Sequence, residues 1–195
     1  VLKQLNYSAT LLGDSFNDEQ FKQLEVDRLK FQSNYFDSVI ISDKYGHVLN
    51  YSPSKIAINK NVVNTTLGFK QSIETQNTVI TSPYYSIKNN LIVFISQPIF
   101  DKDKKYLGFI GGAIYLKEKN IINELLTLSF NYKDSYMYVL DSNRKIIFHP
   151  DASRIGTLAT DNTGLNYMTS HMIGKIRLIN SKGVDNLAGF ARVSH

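Results

Sequence analysis

The stretch SVIISDKYGHVLNYSP at residues 38–53 returns in altered form as SYMYVLDSNRKIIFHP at residues 135–150. Each copy has an apolar run, an Asp, a few turn residues, a second apolar run and a Pro. That order is a strand, a tight turn and a second strand, and in the first copy Gly46 can supply the positive φ a hairpin turn needs. Any architecture for these 195 residues has to accommodate the same hairpin twice.

The residues around the copies fit that scheme. Residues 3–33 read as helical, with Asn17 as an N-cap, Gln20 as its capping-box partner, and Phe21, Leu24, Leu29 and Phe31 as an imperfect apolar face. From Asp14 to Tyr45 there is no Pro or Gly, which allows one long helix or two in series. FKQSIETQ has the spacing of a short helix, with Phe69 and Ile73 four apart. TVITSPYYSI, NLIVFISQPIF and YLGFIGGAIYL then read as three long antiparallel strands joined by KNN and DKDKK. With the first hairpin they make a five-stranded sheet. KEKNIINELLTLSF restores a helical period, placing Ile121, Ile122, Leu125, Leu126 and Ser129 on one side. After the second copy, GKIRLINSKGVDNLAGFARV forms a hairpin that turns at Lys182–Gly183, and this copy stops one strand short of the first. The fold class is α+β.

Composition excludes several classes. There are no cysteines, so disulfide frameworks, Cys-based zinc sites and thiol catalysis are ruled out. The 22 Lys and Arg against 17 Asp and Glu are scattered, without the basic stripe a nucleic-acid face requires, so no nucleic-acid partner is expected. No window approaches 18 apolar residues, the length a membrane span needs, and no signal peptide opens the chain, which reads as a piece whose anchors lie elsewhere. His47, His149, His171 and His195 are far apart and in no metal-ligand spacing; they read as surface or capping residues. The Asp residues lie mostly in turns and give no acid–base pair. Neither a catalytic role nor a cofactor or metal is expected.

Two features suggest a binding face. Gly111 and Gly112 interrupt a strand, where glycine either leaves room under a pocket or permits close packing. Tyr84 and Tyr85 follow a Ser-Pro, and alternation points them to opposite faces.

Taken in order, YFDSVIISDKYGHVLNYSP, FKQSIETQNTVITSPYYS, LIVFISQPIFDKDKKYLGFIGGAIYL and YMYVLDSNRKIIFHPDASRIGT make the chain resemble the double Cache family of extracytoplasmic bacterial sensor domains. The resemblance implies a long N-terminal helical stalk over 1–34, a membrane-distal PAS-like module over 35–130 and an incomplete membrane-proximal module over 131–195, each an antiparallel sheet flanked by helices. It implies a small-molecule pocket in the distal module, a homodimer through the N-terminal helix, membrane anchoring outside this stretch, and a periplasmic or extracellular location. The output most like it is a membrane diguanylate cyclase, with a histidine kinase or chemoreceptor next; a PAS-like scaffold without ligand is the alternative. The amino-acid-binding members carry Arg-x-Trp-Tyr, a Tyr and an Asp, and these positions fall on Thr66, Gly68, Phe69, Tyr84 and Ala113. The lost Arg and Asp argue against a free amino acid as the ligand. The ligand-binding candidates are Phe69, Tyr84, Ser86, Gly111, Ala113 and Tyr115.

Overall fold

The computed structural model describes all residues except 33, 55–62, 128–134, 160–162, 181–182 and 194–195. These fall into two compact units, Val1–Thr157 and Leu158–His195. The expected module boundary at 130/131 lies outside the described residues. Among the described residues no helix is long and apolar enough to cross a membrane.

The first unit is built on a mixed-length antiparallel sheet. Its strands are β1 (Ser38–Asp43), β2 (Val48–Ser52), β3 (Val79–Ile80), β4 (Tyr84–Tyr85), β5 (Leu91–Phe100) and β6 (Tyr106–Tyr115). The order is β2-β1-β6-β5-β3, with β4 also paired to β5. The third expected strand is thus two short pieces. Pro83 has no N–H to give to a ladder, and Thr81 bridges the gap: its N–H donates to the Phe94 carbonyl and its hydroxyl accepts the Phe94 N–H at 2.9 Å.

Both faces of the sheet are covered, so β5 and β6 read as nearly continuous apolar runs instead of alternating ones. On one face Val39, Ile41, Val93, Ile95, Ile110 and Ile114 meet two helices, α1 (Leu2–Ser15) and α2 (Glu19–Phe31). On the other, α3 (Leu67–Thr75) packs over Ile40, Ile92, Phe94, Phe109 and Ala113.

The N-terminal region is therefore two helices packed on the sheet, not one long stalk. Asp18, one residue after the expected cap, breaks the helix by accepting from the Phe21 N–H at 3.0 Å. The buried stripe of α2 is Lys22, Glu25, Val26 and Leu29, while Leu24 and Phe31 of the expected face are exposed. Buried charges are tolerable only when paired. Lys22 meets Glu19 at 2.5 Å. Glu25 accepts from Arg28 at 2.9 Å, and Arg28 also donates to Ser8 of α1 at 2.7 Å.

The repeated hairpin has one structural cause. Both copies use the same five-residue turn, and three further hairpins use it too. In each, the first residue (Asp43, Ser86, Asp101, Asp141, Asn180) accepts at its carbonyl from the N–H three residues on and pairs its own N–H with the carbonyl four residues on. Its side-chain oxygen also accepts the N–H four residues on. The fourth residue is left-handed in every case: Gly46, Asn89, Lys104, Arg144 and Gly183. In the hairpins at Asp43, Ser86, Asp101 and Asp141 this bonding is that of a type I turn followed by a left-handed residue, anchored by an Asx or Ser side chain.

The second copy, β7 (Val139–Leu140) and β8 (Ile146–Phe148), forms its own short pair. Its turn docks on the β3–β4 connection, where Lys145 Nζ donates to the Pro83 carbonyl and Asn143 to the Ser82 hydroxyl, both at 2.9 Å. The linking helix α4 (Ile121–Thr127) packs Ile121 and Ile122 against the helix-side core, but Leu125 is exposed; Ser129 lies outside the described residues. In the second unit, α5 (Thr163–Ser170) lies on the hairpin β9 (Ile173–Ile179) and β10 (Asp185–Ala191), with Tyr167 edge-on to Phe190 at 5.8 Å.

Two predictions follow from these contacts. Asp141→Ala leaves two backbone N–H groups without their acceptor and lowers unfolding stability by about 1 kcal/mol, whereas Lys104→Gly relieves a left-handed residue and raises it by about 0.5–1 kcal/mol; urea midpoints measure both. Burial alone would raise the Glu25 pKa, but the bonds from Arg28 and Ser8 outweigh it and lower it from 4.5. A lowered folded pKa gives stability that is present above pH 4.5 and lost as pH falls through the folded value. Urea titrations from pH 6 to pH 3 show that acid loss in the wild type; in Arg28→Met only the Ser8 bond still opposes burial, and the loss over this window shrinks.

Candidate functional site

The α3 face of the sheet collects most of the residues singled out above. Phe69 and Ala113 are buried there together with Ile92, Phe94 and Phe109, and Tyr51, Ile73, Tyr84 and Tyr115 pack around them. Phe69 stacks on Phe94 with ring centroids 5.8 Å apart and meets Phe109 edge-on at 5.0 Å. The chain puts them there by strand alternation: Ile92, Phe94 and Ser96 of β5 face the same side as Phe109, Gly111, Ala113 and Tyr115 of β6.

Tyr84 closes one end. Its side chain is partly buried, whereas Tyr85 is 55% exposed, as alternation requires. Burial pushes the Tyr84 phenol up, opposed by hydrogen bonds from the Thr66 side chain and the Gly68 backbone at the start of α3. The opposite end of α3 is held by a buried polar pair, with Ser72 and Ser96 hydroxyls 2.7 Å apart and Ser72 also bonded to the Gly68 carbonyl. Tyr106 donates to the Ser72 carbonyl at 3.3 Å, and burial together with the Asp43 carboxylate pushes its pKa up to about 12. The face offers ring surfaces and the hydroxyls of Ser72, Ser96, Tyr84 and Tyr115.

The two strand glycines have different neighbours. A β-carbon on Gly111 would run into Cζ of Phe94, and one on Gly112 would run into the Phe36 ring on the opposite face. Both permit close packing of a ring, and the room above Gly111 is filled by Phe94. Ser86 does not join the group. It opens the β4–β5 turn, where its hydroxyl accepts the Asn90 N–H at 3.2 Å. Tyr115 is shared between the α3 face and a polar surface cleft of about 280 Å³ that it lines with Tyr85, Asn90, Lys117 and Glu118. Its hydroxyl stands 3.5 Å from Ser38, and its N–H donates to Asp37 at 2.7 Å.

The residues that sequence reasoning missed are Phe94 and Phe109. Their signal was present as the even positions of one strand and the odd positions of the next, but a strand buried on both sides gives no polar residues to mark which face is which. Among the histidines, His47 pairs with Asp43 at 2.9 Å in its turn, and His171 stacks on Tyr167. His149 is buried instead of exposed, ringed by Tyr136 and Tyr138 and accepting the Asp151 N–H; the aromatic pair supplies the cover. His195 lies outside the described residues. Among the described residues no group of three His, Asp or Glu side chains is placed to hold a metal.

Tyr106 gives a direct electrostatic check. A phenol pushed up to about 12 contributes stability that is present below pH 10 and lost as pH rises through the folded value. In an ultraviolet titration, Tyr106→Phe deletes a phenol from the last-titrating group and flattens the alkaline fall in stability above pH 10.

Comparison with known proteins agrees with this architecture. A family model described as a Cache domain matches residues 2–195. No curated protein matches the chain. Among solved structures, an extracellular ligand binding receptor from Desulfohalobium retbaense superposes with a TM-score of 0.70 at 14% identity, over 89% of this chain. The chain spans only 31% of that receptor's length. The ligand-binding domain of the Pseudomonas aeruginosa amino acid chemoreceptor PctC, in complex with GABA, gives a TM-score of 0.70 at 17% identity, over 95% of this chain and 80% of that one. That of the Pseudomonas fluorescens chemoreceptor CtaA, in complex with L-alanine, gives 0.68 at 13% identity, over 94% and 76%.

These neighbours correct the expectation against free amino acids. Domains of this fold hold GABA and L-alanine, so the exclusion drawn from Thr66 and Ala113 does not stand. Losing an Arg and an Asp at two positions removes one way of holding such a molecule. Carboxylates are also held by backbone N–H groups and hydroxyls, and ammonium groups by carbonyls and ring faces. With a fold-wide match in sequence and a shared architecture, the chain is a member of the Cache domain family.

Proposed function

We propose that this chain is the small-molecule sensing domain of a membrane-anchored bacterial receptor, and that its ligand is held on the α3 face between Phe69, Tyr84, Ala113 and Tyr115. The observation that carries this reading is the convergence of four separately numbered candidates on one packed face, closed by a half-polar gate where Tyr84 meets Thr66 and Gly68. Ligand pockets combine apolar walls with a few convergent polar groups, and this face has that composition. Small amino-acid-like molecules are the first class to test, because PctC and CtaA hold GABA and L-alanine.

The domain sits outside the cytoplasm, anchored by segments beyond residues 1–195. It comprises two PAS-like modules in series, the distal over 35–130 and the proximal over 131–195. That division rests on the family resemblance of YFDSVIISDKYGHVLNYSP and YMYVLDSNRKIIFHPDASRIGT, each of which opens on a strand, a turn and a strand. The output is a diguanylate cyclase, on the resemblance of GGAIYLKEKNIINELL to sensors of that class; a chemoreceptor output is favoured instead by the solved neighbours. The full reading frame distinguishes them. A ligand acts on such an output only by binding one arrangement better than another.

A thermal-shift panel of GABA, the common amino acids, amines, organic acids, nucleobases and sugars tests the reading. A ligand at a hundredfold excess over its dissociation constant stabilises the folded state by about 2.7 kcal/mol, and that shift is lost in Tyr84→Ala. A folded domain with no shift across the panel, or a shift indifferent to Tyr84→Ala, sinks the assignment of this face and favours a scaffold that transmits without binding.

A further inference from the structure

Phe69 of α3 packs on two rings of the sheet, Phe94 and Phe109, and Phe94 is held unlike the other two. Its ring sits between the backbones of two glycines on different elements. A β-carbon on Gly68 of α3 would stand 2.5 Å from its Cδ1, and one on Gly111 of β6 would collide with its Cζ. Phe69 covers it nearly parallel, at 25° between planes, and Phe109 meets it edge-on at 6.2 Å. The Tyr84 hydroxyl reaches the same point beside Gly68, where a β-carbon would be 2.6 Å away. The enclosure therefore has two glycine walls, an aromatic face, an aromatic edge and one hydroxyl at its rim. It is the negative of a flat six-membered ring bearing one polar substituent. Neither wall is needed to fix the Phe94 backbone, whose N–H and carbonyl are both bonded to Thr81. The ring can leave by side-chain rotation while the ladder stays intact.

We propose that Phe94 is the domain's own occupant of a ligand slot, and that a small molecule carrying a phenyl-sized flat ring with one polar substituent enters by turning Phe94 out. This rests on the reading of the α3 face as the sensing site. It adds the shape of the ligand and the group that competes with it. The two glycines become determinants of what the slot admits, because a methyl group on either would occupy space that the ring now fills.

Phenol and n-hexanol are the probes, one flat and one flexible at similar apolar size. By calorimetric titration, Phe94→Ala binds phenol at least tenfold more tightly than the wild type does, and prefers it to n-hexanol. Adding Gly111→Ala to Phe94→Ala reverses that gain. Phe109→Ala, which opens the same core away from the glycine walls, shows no such gain. Equal gains in Phe94→Ala and Phe109→Ala, or indifference to Gly111→Ala, overturn the slot as a built site. Displacement is read in the wild type by fluorine NMR with 4-fluorophenylalanine, the Phe94 signal being identified by its loss in Phe94→Leu, which also serves if the Ala variant does not fold. Phenol moves that signal towards the solvent-exposed position and leaves Phe36, on the opposite face, unchanged. A Phe94 signal that stays put at phenol concentrations saturating Phe94→Ala overturns displacement. A silent metabolite panel with Phe94 still displaced by phenol removes the sensing reading and keeps the slot. A metabolite that binds through Tyr84 without moving Phe94 or competing with phenol does the reverse.

Discussion

The pairing of β5 with β6 is the contact on which the rest of this domain depends. Its ladder runs from Ile92–Tyr115 to Phe100–Tyr106 and is buried on both faces. An antiparallel pair commonly leaves one face to water; here neither side can be left open, so two layers of helix are required. The helices α1 and α2 cover one side with aliphatic residues, and α3 covers the other with rings. Gly111 lets the tip of the Phe94 ring come against the strand on the α3 side, and Gly112 lets the Phe36 ring come against it on the other.

This arrangement makes the α3 face suitable for sensing. A nine-residue helix held by one serine pair at one end and one tyrosine hydroxyl at the other is a modest lid. Rings packed against rings lose little on exchanging one for another of the same size, so a face already filled with aromatic surface can trade an internal partner for an external one. The opposite face has two longer helices, ion pairs that each bury one member, and a larger aliphatic core.

Much of the fold was legible in the sequence because turns and periods are local. The Asp-anchored hairpins could be read from Asp43 and Gly46, and their recurrence at Asp101 and Asp141 was visible as turn chemistry. The short helix carrying Phe69 and Ile73 followed from their spacing. What was not legible depended on partners distant in sequence. Leu24 and Phe31 look like core and are exposed, whereas Lys22 and Glu25 look like surface and are buried, because Glu19, Arg28 and Ser8 meet them. The candidate site divided the same way. Tyr84 and Ala113 could be placed by alternation, but Ser86 was drawn into a turn that only the Asn90 N–H explains. The weight placed on two missing charges at Thr66 and Ala113 treated a recognition problem as a lookup, and neighbours of the same fold overrule it.

The broken strand opposite the hairpin has a separate consequence. The outer edge of the sheet is made by β3 and β4, two residues each, with Pro83 between them. A long edge strand offers a continuous row of donors and acceptors to any passing chain and is a site of aggregation. Here the row is cut after two residues, Thr81 spends its hydroxyl inward on Phe94, and the Pro83 carbonyl is taken by Lys145. On this side, next to a ten-residue central strand, the sheet therefore offers another copy no continuous edge to pair with.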